Sequence, residues 1–295
     1  HVPRVHPRQQ AGAASQHARR LELDRARRRA DVLVAEPTTG EREEHLVRTE
    51  RYVLAAGGVE TPRLLLLSRI GASDRTGRGF ADHAFTVTQL VVDADVGWGA
   101  SSHACATDHF RAGTAEQGSF HLVFIRDPQL GELVQREAMS GGLSVERLRA
   151  SARGAFLVLG SAELEGNGAV ELDPERLDRH GDPIPRVTLP LRARDERTLR
   201  AMSDAVRALA GALGARGAPA RESALDFGWG AHPMGGCAMG ATPEHGVVDR
   251  DAKVFGVDNL FVAGSAVFPG FGSANPTLTL AALALRLAAH LGSDG

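Results

Sequence analysis

The sequence predicts an α/β fold interrupted by an antiparallel sheet, and three observations predict it. YVLAAGG (52–58) is an apolar strand ending in two glycines, and TPRLLLLSRIG (61–71) follows it with helical periodicity. Between about 80 and 230, strand-length runs follow one another with no helix between most of them. After residue 230 come a glycine-rich turn, a strand and a long apolar helix. Strand, glycine turn and helix in that order have the local shape of a nucleotide-binding α/β unit. The simplest arrangement is one such unit, residues 21–79 and 230–295, split by an inserted sheet at 80–229.

Each element follows from its own residues. Residues 1–20 are polar, basic and aperiodic, and are expected to be irregular. Residues 21–50 read as short strands, with PTTG (37–40) as a hairpin signal. In the helix after YVLAAGG, Thr61 is expected as the cap, Pro62 at the first position and Gly71 as the stop. Strands are expected at 84–92, 119–125, 154–164 and 185–191, with a loop over 172–185. Leu199, Met202, Val206, Leu209 and Leu213 step by three and four residues, giving one apolar stripe ended by Gly214 and Gly217. NLFVAG (259–264) is the last strand. In the closing helix Asn275 is expected as the cap, Pro276 in the first turn, and leucines 278, 280, 283, 285 and 287 as packing.

Composition excludes several classes of function. The chain has 295 residues, 43% hydrophobic, which is room for one large domain or two interleaved ones. A net charge of −2 gives no basic footprint for nucleic acid. Cys105 and Cys237 make neither a disulfide framework nor a zinc template. No run is long enough to cross a bilayer; the best, at 278–291, is short and carries Arg286. The chain opens at His1 rather than Met, so no targeting signal is read from it, and its localisation stays open with the cytoplasm as default.

Three stretches could carry chemistry. In GFGSAN (270–275) the glycines allow close backbone approach, and the helix N-terminus behind them favours an anion or an electron-rich ring. As a near miss to G-x-G-x-x-G, it is weak alone. In HPMGGCAMG (232–240), Pro233 holds His232 extended and two glycines strip the neighbouring backbone. With 12 histidines in the chain, a structural role for any one competes with a general base. AAGGVETPRLLLLS (55–68) is equally a plain strand-to-helix connection or a nucleotide contact. A different class, a zinc or thiol enzyme built on His103, Cys105 and His109 (HACATDH), lacks carboxylates and suitable spacing.

Together these stretches resemble the glucose–methanol–choline (GMC) oxidoreductases, flavoenzymes that oxidise alcohols. AAGGVETPRLLLLSRIG is similar to their AAG-x-x-x-(T/S)-P-x-LL-x-x-S-G-I-G segment, and GRGFADH (77–83) to the G-R-x-x-x-DH stretch that follows. HPMGGCAMG and residues 246–291 match the C-terminal block almost without gaps.

The resemblance implies a partial FAD-binding Rossmann-like domain with an inserted substrate domain. It implies an alcohol, sugar or glycoside substrate, with FAD as cofactor and an unspecified electron acceptor. His232 matches the family's base and Asn275 its second hydrogen-bonding residue, holding the C–H of the alcohol toward the flavin. Pro276 and Thr277 would open the helix whose N–H groups face the flavin's pyrimidine edge. Gly264 and Ser265 would lie along the ribityl–diphosphate region, and Ala55, Ala56 and Gly57 beside the adenosine half. Ala263 stands where many relatives carry an acidic residue, which points to the branch acting on pyranoses, polyols and glycosides. The family's opening strand–GxGxxG–helix unit does not occur in these residues. The chain is therefore expected to be the C-terminal part of a longer enzyme, one subunit of a split one, or a silent fragment.

Overall fold

The computed structural model describes residues 17–24, 29–35, 44–71, 74–92, 114–126, 155–215 and 232–293. β1 (His17–Asp24), β2 (Arg29–Ala35) and β3 (Glu44–Val47) form an antiparallel sheet in that order. β1 begins at His17, inside the segment expected to be irregular, because β2 supplies its ladder: His17 lies opposite Ala35. PTTG lies outside the described residues, but the strands on either side of it do pair antiparallel. The Asn259 carboxamide clasps Ala30, accepting from its N–H at 2.8 Å and donating to its carbonyl at 2.9 Å.

β4 (Tyr52–Leu54) buries Tyr52 and Leu54 and leads into α1 (Gly57–Ser68). The helix starts four residues before Thr61. The cap residue is Ala56, not Thr61, and Pro62 lies inside the helix rather than at its first position; Thr61 Oγ1 accepts the Ala56 N–H at 3.2 Å from within. The stop is Arg69 at φ 53°, not Gly71. The Arg69 N–H reaches the Leu66 carbonyl and the Ile70 N–H the Leu65 carbonyl, both at 3.1 Å, which is a Schellman turn. Burial of Ile70 and Leu65 explains the early stop, since an apolar contact between these two positions accompanies that turn.

The middle of the chain makes two antiparallel sheets rather than one. β5 (Arg78–Phe80), β6 (Ala84–Val91), β7 (Phe120–Arg126), β8 (Ala155–Ala162), β9 (Gly168–Leu177) and β10 (Pro183–Thr188) assemble as β6-β8-β7 and β10-β9-β5. The loop expected at 172–185 is mostly a hairpin. Its turn is closed by the Asp178 carboxylate, which accepts from the His180 and Asp182 N–H groups at 2.8 and 3.0 Å, with Gly181 at φ 81°. Burial of Asp178 opposes ionisation, but Arg63 of α1 at 2.6 Å and the turn N–H groups outweigh it, and its pKa falls to about 2. Pro174, Pro183 and Pro185 break the alternation that would have marked these strands. α2 (Ala193–Ala212) then packs Met202 and Val206 onto Phe120, Leu122 and Val158, and Gly214 ends it at φ 59° as expected.

β11 (Leu260–Val262) returns to β4 in parallel, Leu260 opposite Tyr52 and Val262 opposite Leu54. A short 3₁₀ turn (Ser265–Val267) follows, then α3 (Thr277–Ser293). α3 begins one residue later than expected. The Pro276 carbonyl accepts the Leu280 N–H at 2.9 Å, so Pro276 takes the cap position and Asn275 stands just ahead, exposed. One apolar core surrounds β4, β11 and α1; a second lies between β6–β8 and α2.

Residues 234–239 run between two other backbone segments. Ala81 and Met234 exchange both backbone bonds at 3.0 and 2.8 Å, and the Gly77 N–H donates to the Gly236 carbonyl at 2.7 Å. On the other side the N–H groups of Gly235, Cys237 and Met239 donate to Ser265, Ala266 and Val267 at 3.0, 2.9 and 2.9 Å. Gly235 has φ +77°, and a β-carbon there would lie 2.0 Å from the Gly79 carbonyl oxygen. Gly235→Ala is therefore expected to destabilise the chain by ~3 kcal/mol or more, through strain and collision with backbone that cannot yield. Gly211→Ala, at a helical site with nothing within 4 Å of the new carbon, is expected to gain ~1 kcal/mol. Urea midpoints of the two variants check both.

Candidate active site

The turn from β5 to β6 and the segment before Met234 are held together by one carboxylate. Asp82 Oδ1 accepts the backbone N–H of His83 at 2.7 Å and that of His232 at 3.1 Å. Two histidines from distant parts of the chain are thus set side by side. Their Nδ1 atoms lie 3.0 Å apart, and the rings cross edge to face with centroids 5.0 Å apart. Phe85 covers the pair, 5.6 Å from the His232 ring and 6.1 Å from His83. His232 is half-buried, whereas His83 is 1% exposed. Burial lowers the pKa of both. For His83 it drops to about 4 despite the Gly272 carbonyl facing the ring, while at His232 the Asp82 charge partly opposes the drop. Desolvation raises Asp82, against the two N–H groups bonded to it.

His83 also joins this pair to the loop ahead of α3, its Nε2 lying 2.8 Å from the Gly272 carbonyl. The antiparallel sheet grips the same loop. The Ser273 N–H donates to Ser119 Oγ at 3.2 Å, and Ser119 Oγ donates to Glu163 at 2.7 Å. Arg194 of α2 holds the other Glu163 oxygen at 2.7 Å. Burial alone would raise Glu163, but Ser119 and Arg194 outweigh it and its pKa is lowered. His121 of β7 also hydrogen-bonds the backbone of Ser273, and Ser161 of β8 donates to the Ser273 carbonyl at 3.4 Å.

The sequence-predicted residues fall into two groups. Ala55, Ala56 and Gly57 follow β4, and Gly264 and Ser265 follow β11. Because β4 and β11 are parallel neighbours, both groups sit at the same carboxyl edge, where the Ala263 N–H donates to the Leu54 carbonyl at 2.8 Å. Ser265 Oγ donates to the Pro233 carbonyl at 2.7 Å, tying this edge to the residue after His232. Asn275, Pro276 and Thr277 follow the loop that His83 grips; Asn275 and Thr277 are exposed and Pro276 is buried. Asp82, His83, Phe85 and His121 were given no role by the sequence. The GRGFADH motif held the available signal for Asp82 and His83, since it was part of the resemblance. Among the described residues no group of three or more His, Cys, Asp and Glu could hold a metal, and no helix is long and apolar enough to cross a membrane. His103, Cys105 and His109 lie outside the described residues.

Two models of the GMC oxidoreductase family match the chain, over residues 10–85 and 165–284. The chain belongs to the GMC oxidoreductase family. It is 32% identical over 284 residues to a C-glycoside 3-oxidase of Microbacterium trichothecenolyticum, covering 90% of this chain and 51% of that protein. It is 28% identical over 274 residues to the fructose dehydrogenase large subunit of Gluconobacter japonicus, covering 86% and 49%. The chain thus spans about half the length of these relatives. Pyridoxine 4-oxidase from Mesorbium loti shares its fold at a TM-score of 0.62 and 21% identity, over 93% of this GMC chain and 57% of that one. Mixed α/β architecture with antiparallel sheets is common ground between them.

A buried, neutral histidine ties stability to pH. The unfolded chain binds a proton at His83 near pH 6.5, the folded chain only near pH 4, so unfolding takes up a proton between those values. Stability is complete above pH 6.5 and is lost as pH falls toward 4, by ~3 kcal/mol from His83, with His121 and His232 acting in the same direction. Urea midpoints measured across that range are expected to fall steeply, and less steeply in His83→Asn.

Proposed function

We propose that this GMC chain takes part in FAD-dependent oxidation of a CH–OH group in an alcohol, sugar or glycoside, with His232 as the base. The observation that carries the reading is the junction of His232 with the edge formed after β4 and β11. Gly57 at φ +81° and Gly264 at φ +114° would each place a β-carbon with nothing within 4 Å. Bare backbone at the carboxyl ends of adjacent parallel strands suits an extended dinucleotide. The residues present therefore fit FAD, with Ala55–Gly57 toward its adenosine half and Gly264–Ser265 along its ribityl–diphosphate part.

Flavin, when bound, supplies a two-electron acceptor for the C–H of the alcohol. The remaining work belongs to side chains. His232 is neutral at pH 7, because burial lowers its pKa, so it can accept the hydroxyl proton. The exposed Asn275 carboxamide donates to the same oxygen and fixes which face of the carbon is presented. N–H groups around Thr277 open α3 and favour negative charge before them. The C-glycoside 3-oxidase and fructose dehydrogenase similarities support a carbohydrate-like substrate.

FAD added to the purified chain is expected to give a bound-flavin spectrum that bleaches anaerobically with a sugar or glycoside. His232→Ala is expected to slow the bleaching by ~10²–10⁴-fold. The acid limb of the rate should fall below the ordinary histidine value of about 6.5, because His232 stays unprotonated to lower pH. Bleaching at the wild-type rate in His232→Ala would overturn the assignment. The length of the relatives favours a second reading, a chain silent by itself that needs a separate dinucleotide-binding portion. Flavin bound only after that portion is added would select it.

A further inference from the structure

We propose that His83 is a positioning residue that fixes His232 as the tautomer protonated on Nδ1, leaving the Nε2 lone pair as the base. This rests on the reading of His232 as the base. The proton inventory follows from the partners. His83 Nε2 lies 2.8 Å from the Gly272 carbonyl, and a carbonyl oxygen can only accept, so the His83 proton sits on Nε2. A buried neutral imidazole has one proton, so His83 Nδ1 carries a lone pair. That lone pair lies 3.0 Å from His232 Nδ1, and a hydrogen bond there requires the proton to come from His232. The opposite arrangement sets two lone pairs against each other at Gly272, or demands a doubly protonated His83.

The second escape is closed by what faces the ring. His83 is 1% exposed and has His121 and His232 as like-charged neighbours whenever they protonate, with Glu163 the carboxylate acting against them. Asp82 Oδ1 accepts the two backbone N–H groups, and its charge bears on the His232 ring. Among the described residues, the His232 ring has its one hydrogen bond at Nδ1. When the substrate hydroxyl gives its proton to Nε2, the O–H bond breaks and an N–H bond forms. The resulting imidazolium keeps its Nδ1–H on the His83 lone pair, which helps hold the new charge. The two electrons of the C–H bond would be taken up by flavin, when that group is bound.

The test is nitrogen-15 NMR of the histidine-labelled chain above the His232 titration, with His232 assigned by its loss in His232→Asn. The expected spectrum shows the His232 proton on Nδ1. His83→Leu, which removes the acceptor, is expected to shift His232 toward Nε2–H. His83→Asn keeps an oxygen acceptor near the Nδ1 place and is expected to restore the Nδ1–H form. In flavin reduction, His83→Leu should lower kcat by roughly 10- to 100-fold with KM little changed, and His83→Asn should recover most of it. His232 protonated on Nε2 in the wild type, or unchanged in His83→Leu, would overturn the proposal. If His83→Leu does not fold, the wild-type and His83→Asn spectra still decide it. The NMR needs neither flavin nor substrate, so it decides the tautomer whether or not the chain by itself is reactive. A confirmed tautomer beside a His232→Ala variant that bleaches at the wild-type rate would reject the base and leave only the hydrogen-bonded pair.

Discussion

The backbone clasp on residues 234–239 is the constraint on which the rest depends. Each of its bonds is worth only ~1 kcal/mol net, but a buried backbone group left without a partner costs more than a formed bond gains. The clasp therefore holds as a unit, joining a segment before β6, a segment after β11 and the residue next to His232. Glycine is required where the three backbones come closest. A side chain on Gly58 would meet the Pro233 carbonyl oxygen at 2.6 Å, and one on Gly77 the Val170 carbonyl oxygen at 2.1 Å. Glycines that look like loop filler in the sequence are contact surfaces between main chains.

How much of this was legible depended on the range of the interaction. β4 with its glycines, the α2 stripe and the Gly214 stop were readable because local periodicity and turn chemistry determine them. The end of α1 and the start of α3 were missed by one or two residues, because Ile70 and Pro276 answer to tertiary packing rather than to local rules, and the start of α1 lies five residues earlier than Pro62. The β9–β10 hairpin was hidden because its turn is stabilised by an aspartate and a distant arginine, Arg63. His232 and Asn275 carried local signals, a glycine-stripped loop and a helix start behind glycines, and the family resemblance gave them their expected roles. His83 could not be assigned a role from one dimension, since its meaning lies in contacts to residues 149 and 189 positions away.

The Ser119–Glu163–Arg194 chain raises the question of why a polar network lies between two apolar cores. Glu163 and Arg194 are only 15% and 14% exposed, so removing either would leave a charge in a place with little water. Apolar side chains would pack the site as well. They would not fix the Ser273 N–H, which must be met by an acceptor at one position. The network thus contributes geometry more than stability, orienting the loop that leads into α3.

The β6-β8-β7 sheet therefore also holds backbone outside its own strands. His83 leads into its first strand, His121 belongs to β7, and both hold the backbone just ahead of Asn275. Asp82 binds the same region to His232. The proposed base, the proposed orienting amide and the glycine-bare edge come from segments far apart in sequence, and no one segment can bring them together. Histidine suits the junction because one ring can donate to a carbonyl through one nitrogen and accept through the other while carrying no charge. An asparagine or a serine at position 83 would meet one of those demands well and the other poorly. The residue that tells His232 where to keep its proton is thus also the one that anchors the loop before Asn275, so the two halves of the proposed site are set by a single side chain.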